Sequence, residues 1–245
     1  MTESYSENEI VGRVSVRGVN YFFQCLNELS DFLDIMGEES GGSVSTYSKG
    51  VILRQTEIDM IASQVFAEQA HAGQKRKYVD EDYVEHPIRV RNILAELLDS
   101  KSEEMTKFFP SKKDIIIAAI LHDTVEDCNV SLDVIQDKFG FYVRRLVSEL
   151  TNKYTKDNYP ELNRQTRKHL EAQRIRNISN EAKLIKLADR LDNVSGIQNS
   201  PKDFGKKYAQ ETLHLLTSLI GVNTVLYDKI TKICEDYLNN IKTDK

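Results

Sequence analysis

The chain has 245 residues, of which 40% are hydrophobic and 29% are charged, and its formal net charge at pH 7 is −5. This is the composition of an ordinary globular protein, with length enough for one large domain or two small ones, and its acidic balance argues against a general nucleic-acid surface. The longest apolar run, the seven residues at 115–121, is far too short to span a membrane.

The N-terminal sequence MTESYSENEIVGR lacks the basic start and apolar stretch of a secretory signal peptide. The three cysteines, Cys25, Cys128 and Cys234, are odd in number and show no metal-type spacing. They are expected to be free thiols in a reducing compartment, which makes the cytoplasm the expected location.

Residues 1–50 are expected to form an N-terminal extension separate from a domain at 51–245. Within it, residues 21–36 have the apolar spacing of a short amphipathic helix. Residues 37–50, GEESGGSVSTYSKG, have the composition of a flexible linker. The short helix could dock a protein partner.

From Thr56 onward, the pattern is helical almost throughout, which predicts an all-α fold. Residues 56–59 resemble a capping box, and His86-Pro87 has proline at a favoured first helical position. Helices are also predicted from about 111, at 181–194, and from about 204 to 241 with a possible break near Gly221. Only KYVDEDYV at 77–84 alternates in a way that predicts a small hairpin.

The dipeptide His122-Asp123 follows the buried apolar run directly. Neighbouring residues on a helix point about 100° apart, which suits two adjacent vertices of an octahedral metal ion. Imidazole with carboxylates favours Mn, Fe, Co or Mg, and two further ligands are expected from His86 and Asp189. The alternative is a satisfied buried pair or a helix cap. The order of HP, HDTVED and LADRLDN along the chain favours the metal.

A second acidic pair, Glu126 and Asp127, follows one helical turn later. Its carboxylates would flank the open face of the metal site and could take a proton from the attacking water. The alternative interpretation is a solvated acidic helix end.

The basic sequence QKRK at 74–77, in an acidic chain, predicts a polyanionic substrate, because guanidinium groups pair with phosphate. Lys186 and Asn193 share a helix face with Asp189 and would bracket the metal. A second basic set is more typical of a solvated helix face; it comprises Arg164, Arg167, Lys168, Arg174 and Arg176. His71 is expected to have a core or capping role, and His169 and His214 structural ones.

Together, HAGQKRK…YVEHP, LHDTVED, FG…VRRLVSELTNK, KLADRLDN and YAQETL resemble the RelA/SpoT-type HD hydrolase domain over roughly residues 56–225, in a stand-alone small alarmone hydrolase. The resemblance implies an all-α HD-domain helical bundle at 51–245 that binds one Mn²⁺. It implies removal of the 3′-pyrophosphate of ppGpp or pppGpp, giving GDP or GTP and pyrophosphate. It matches the metal ligands to His86, His122, Asp123 and Asp189, the catalytic pair to Glu126 and Asp127, and positions near the nucleotide to Arg76, Lys77 and Asn193.

Tyr78 departs from this family pattern, because a small Ser or Thr usually follows the RK dipeptide. It is expected to alter the rim of the pocket and leaves the identity of the base open. Two other functions also stay open: an HD phosphohydrolase acting on another phosphorylated nucleotide or an RNA 3′ end, and a nucleotide-binding antitoxin or sensor. The intact acidic pair argues against pure binding.

Overall fold

The computed structural model describes residues 12–16, 19–23, 51–52, 55–99 and 111–243. The chain divides into two compact units, residues 1–69 and 70–245. The described part of the first unit contains the strands β1 (Gly12–Val16), β2 (Val19–Phe23) and β3 (Val51–Ile52). Strand β2 pairs antiparallel with β1 and parallel with β3. Helix α1 covers Gln55–Ala70.

The helix expected at 21–36 is wrong at its start, because residues 21–23 lie in β2. The β2 sequence VNYFF is rich in the β-branched and aromatic residues that favour strands, and its backbone pairs with β1 from Val19 to Phe23. The rest of that helix and the linker at 37–50 lie outside the described residues. The domain boundaries 1–50 and 51–245, and a partner for the extension, stay predictions.

The second unit is helical, which confirms the predicted all-α class of the HD bundle. Its elements are α2 (Glu85–Asp99), α3 (Lys112–Leu121), α4 (Thr124–Asp127), α5 (Leu132–Phe139), α6 (Phe141–Leu150), α7 (Arg164–Ile175), α8 (Asn180–Ser195), a 3₁₀ turn (Ile197–Asn199), α9 (Lys202–Leu216) and α10 (Thr224–Thr243). The long final helix is two helices, separated near Gly221, whose φ of +82° is a left-handed conformation that glycine adopts readily.

Helix α8 is the centre of this unit and packs against α2, α3, α6 and α10. All seven apolar residues at 115–121 of α3 are buried, as are Leu184, Leu187 and Ala188 of α8. Burial of this apolar surface fixes the end of α3 and the middle of α8 next to each other and beside the start of α2. The candidate site lies where these three helices meet.

The hairpin expected at 77–84 is present with shifted bounds, because its backbone hydrogen bonds run from Gln74 to Tyr83. Lys75 and Asp82 form an antiparallel bridge. The Arg76 amide donates to the Glu81 carbonyl at 3.0 Å, and the Tyr83 amide donates to the Gln74 carbonyl at 2.9 Å.

None of the described helices combines the length and the apolar composition needed to cross a membrane.

Candidate active site

Three buried side chains from three helices converge on one point. His86 lies in the first turn of α2, His122 directly follows α3, and Asp189 lies in α8. One potential ligand atom from each lies within 4.8 Å of the other two. The Asp189 Oδ1 atom is 3.3 Å from Nε2 of His86 and 3.9 Å from Nε2 of His122. The structure thus brings together three of the four residues that the sequence suggested as metal ligands.

The fourth residue, Asp123, lies beside both imidazoles. Its Oδ2 atom is 3.1 Å from Nε2 of His122 and 3.6 Å from Nε2 of His86. His122 and Asp123 do not continue α3 as the sequence suggested, because α3 ends at Leu121 and α4 begins at Thr124. The break lets both neighbouring side chains face the same centre.

Hydrogen bonds at the Nδ1 atoms orient both imidazoles. His86 Nδ1 is 2.7 Å from Asp192 Oδ2, and His122 Nδ1 is 2.8 Å from the carbonyl oxygen of Ala119. Donation from Nδ1 leaves the Nε2 lone pair directed at the cluster, as in histidines that bind metals. The buried Nε2 of His122 makes no well-aligned hydrogen bond within the described residues, although Asp123 Oδ2 lies 3.1 Å away. An orphaned buried nitrogen beside two carboxylates fits a divalent cation.

The electrostatics of the cluster also favour a bound cation. Burial alone would lower the pKa of His122, but the Asp123 and Asp189 carboxylates outweigh it and raise the pKa to about 9. Burial alone would raise the pKa of Asp189, but Lys186, with Nζ 2.9 Å from Oδ2, and His86 hold it well below its usual range. The metal-free cluster therefore holds a proton that a divalent ion would replace.

Asp127 of the acidic pair is coupled to the cluster through Tyr83. The Tyr83 hydroxyl lies 2.8 Å from Asp123 Oδ2 and 3.0 Å from Asp127 Oδ2, and it can donate to either oxygen. Burial, followed by the nearby Asp123 charge, raises the pKa of Asp127 above its ordinary value. A carboxylate with a raised pKa is suited to exchanging a proton.

Glu126 has a different environment from Asp127. Both of its carboxylate oxygens accept hydrogen bonds from the Asn152 side chain at 2.9 Å, and Oε2 accepts a third from the Asn152 amide at 3.1 Å. Asp127 is among the described residues that line the main cavity, whereas Glu126 is not. The two neighbouring acids thus differ in their hydrogen-bond partners and in their access to the cavity.

A cavity of about 830 Å³ lies next to the cluster; Tyr83, Asp192 and Asn193, which contact the candidate ligands, line it, but the four ligands do not. Arg76, Lys77 and Asn193, three of the four residues suggested for substrate binding, line it. Arg76 donates to Asn193 Oδ1 at 3.2 Å, and Asn193 donates to Asp189 Oδ1, so this wall touches the cluster. The fourth residue, Lys186, is buried, pairs with Asp189 and lies outside the described lining.

Two residues that sequence reasoning missed fix the orientation of the site. Asp192 accepts hydrogen bonds from Arg89 as well as contacting His86. Tyr83 links two carboxylates and stacks on the buried ring of His71, with centroids 4.9 Å apart. The spacing of Asp192, three residues after Asp189 on the same helix, could have revealed the first, whereas the hairpin sequence gives no comparable sign for Tyr83.

The second basic set is partly neutralised by carboxylates. Arg164 donates to both carboxylate oxygens of Glu211, and Arg174 donates twice to Oε1 of Glu171. The side chain of Arg174 is only 20% exposed, so this residue does not lie on the solvated face expected for the set. The rings of His169 and His214 stack on each other at the surface, 5.5 Å apart, and the structural roles expected for them stay predictions.

Comparison with known proteins gives a consistent result. The HD domain family model matches residues 63–221. The chain is 30% identical over 180 residues to guanosine-3′,5′-bis(diphosphate) 3′-pyrophosphohydrolase MESH1 of Xenopus tropicalis, covering 70% of this chain and 90% of that protein. Identity to its human counterpart is 36% over 173 residues, covering 67% and 87%. A solved structure, described as a metazoan ortholog of SpoT that hydrolyzes ppGpp, superposes with a TM-score of 0.60 at 28% identity, covering 78% of this chain and 98% of that one.

Proposed function

We propose that this chain, which belongs to the HD domain family among the MESH1-type proteins, removes the 3′-pyrophosphate of guanosine alarmones. The substrates are ppGpp and pppGpp, and the products are GDP or GTP and pyrophosphate. The single observation that carries the proposal is the buried cluster of His86, His122 and Asp189, with Asp123 beside it, next to a cavity whose lining includes Arg76 and Lys77. Such a site can bind a metal cation and a polyanionic substrate next to each other.

Mn²⁺ is the metal we propose, because two imidazoles with carboxylates form a ligand set of intermediate hardness. His86, His122, Asp123 and Asp189 would hold it. A bound divalent ion would act as a Lewis acid, polarising the phosphoryl group and lowering the pKa of water.

The remaining chemistry belongs to side chains of this chain. Water attacks the phosphorus attached to the 3′ oxygen, the bond from that phosphorus to the 3′ oxygen breaks, and the 3′ oxygen leaves as a hydroxyl. Asp127, at the cavity wall, accepts the proton of the attacking water and then gives it to the departing 3′ oxygen, and its raised pKa suits both transfers. Glu126 is the second member of the proposed catalytic pair. Its carboxylate accepts hydrogen bonds from Asn152, which fix the end of α4.

Arg76 and Lys77 supply positive charge to the substrate phosphates at the same wall. Asn193 joins Arg76 to Asp189 and so ties the phosphate-binding side chain to a metal ligand. Lys186, also proposed for substrate binding, is buried and pairs with Asp189, so its positive charge would act through that carboxylate. We propose the cytoplasm as the location, because Cys128 and Cys234 are free thiols.

The test is metal-supplemented turnover on a panel of nucleotides phosphorylated at the 3′ or the 5′ position. The proposal expects hydrolysis of ppGpp and pppGpp only at the 3′ position. Turnover confined to a 5′ phosphate or to an RNA 3′ end would assign another phosphohydrolase activity, and tight binding without turnover would assign a sensor.

A further inference from the structure

The cavity is lined by aromatic side chains as well as by charged ones. Tyr78, Phe204 and Tyr208 line it, and they form a continuous row of rings. The centroids of Tyr78 and Phe204 are 5.2 Å apart, and those of Phe204 and Tyr208 are 5.7 Å apart with the rings inclined by only 13°. Tyr208 also accepts a 2.6 Å hydrogen bond from Arg190, which anchors the inner end of the row.

The outer two rings keep much of their surface in solvent. Tyr78 is 48% exposed and Phe204 is 38% exposed, although both are large apolar residues. Tyr78 also has a φ of +69°, a left-handed conformation that is uncommon for a residue with a bulky side chain. An exposed ring held in an unfavourable backbone conformation at a cavity rim is typical of a functional position.

The lining of the cavity offers a partner to each part of a nucleotide. Arg76 and Asp127 line it and are linked to the metal cluster through Asn193 and Tyr83, so phosphates would lie beside them. A planar base attached to those phosphates would lie in the same cavity as the aromatic rings. Aromatic side chains stack on bases, since every base has a π-face.

We infer that Tyr78 and Phe204 form a base-stacking platform and that Tyr78 sets the preference of this chain for purine substrates. The inference rests on the proposed function for the identity of the substrate. A purine has more ring surface than a pyrimidine and so gains more from stacking.

The test compares Tyr78→Ala and Phe204→Ala with the wild type on ppGpp and on its cytidine counterpart carrying the same phosphates. Loss of one stacking partner should raise KM for ppGpp about 5- to 100-fold, with the effect in KM and not in kcat. The purine-to-pyrimidine ratio of kcat/KM should fall in both variants. Tyr78→Phe should restore KM, because the ring and not the hydroxyl does the stacking.

Phe141→Ala is the matched control, because Phe141 is 66% exposed and lies outside the described lining of the cavity. It should leave KM and the purine preference at wild-type values. A wild-type KM and purine preference in Tyr78→Ala would overturn the platform while leaving the hydrolase intact, as would equal losses in Tyr78→Ala and Phe141→Ala.

Calorimetric binding of GDP separates the platform from the proposed reaction, because it needs no turnover. If the wild type hydrolyses no 3′-pyrophosphorylated nucleotide, the proposed function fails, but weaker GDP binding by Tyr78→Ala would still support the platform. Equal GDP binding by the two proteins, or none by the wild type, would overturn it.

Discussion

Replacing Asp127 with Asn is the most informative single change at the candidate site. The amide has nearly the shape of the carboxylate, and its oxygen can still accept the hydrogen bond from Tyr83, which lies 3.0 Å from Oδ2. What is lost is the ability to take a proton. General acid–base catalysis contributes typically about 10²- to 10⁴-fold, so kcat should fall by that factor, or about 3–5 kcal/mol in the activation free energy.

Stability should respond in the opposite direction. The pKa of Asp127 is raised by burial and by Asp123, so the folded protein disfavours the charged form at neutral pH. Removing that charge should leave the free energy of unfolding unchanged or slightly higher. A large loss of turnover in a protein with an undiminished Tm would therefore be chemical and not structural.

The assay is kcat for ppGpp across a Mn²⁺ titration, with bound metal measured by elemental analysis. Asp133→Asn is the matched control, because its carboxylate is 86% exposed and lies on α5 away from the described cavity lining. Glu126→Gln should lose less activity than Asp127→Asn. Near-normal turnover in Asp127→Asn, or recovery at high Mn²⁺, would refute the assignment, the second result making Asp127 a ligand.

Two further substitutions and one pH titration test other features of the structure. Asp192→Asn weakens the partner that orients His86, so metal affinity should fall about 10- to 100-fold in a calorimetric titration, and an unchanged affinity would remove Asp192 from the site. The metal must displace the proton of His122, whose pKa is about 9. Metal affinity should therefore rise by about tenfold per pH unit from neutrality to pH 9, and binding should release a proton. An affinity that does not change with pH would contradict the displacement of this proton. Gly205→Ala should lower the free energy of unfolding by about 1–3 kcal/mol in denaturant, because a Cβ there would lie 2.7 Å from Cζ of Tyr237. Alanine in a helix is usually stabilising, so a more stable variant would contradict this prediction and show that α9 and α10 can separate.

Much of the site could be predicted from the sequence because its ligands interrupt strongly apolar helices. The run at 115–121 is buried as expected, and His122 follows it; Asp189 likewise interrupts the apolar face of α8. Local pattern alone identifies such residues, since a buried polar group needs a partner.

The remainder depends on contacts between segments that are distant in sequence. Asp192 and His86 are separated by 106 positions, and Tyr83 and Asp127 by 44. Glu126 and Asp127 follow His122 and Asp123 by four residues each, but this spacing could not show that the helix breaks at His122. Nor could it show that Asn152 would bind Glu126 while Asp127 lines the cavity. Strand β2 was missed because its residues also fit a helical stripe, and pairing with β1 decides the outcome.

The most direct test of the central claim is the identity of the products formed from ppGpp, followed by phosphorus NMR with and without Mn²⁺. The proposed site predicts GDP and pyrophosphate in equal amounts, formed only when the metal is present and abolished in His122→Ala. Release of orthophosphate, or unaltered ppGpp in a fully metal-loaded protein, would contradict it.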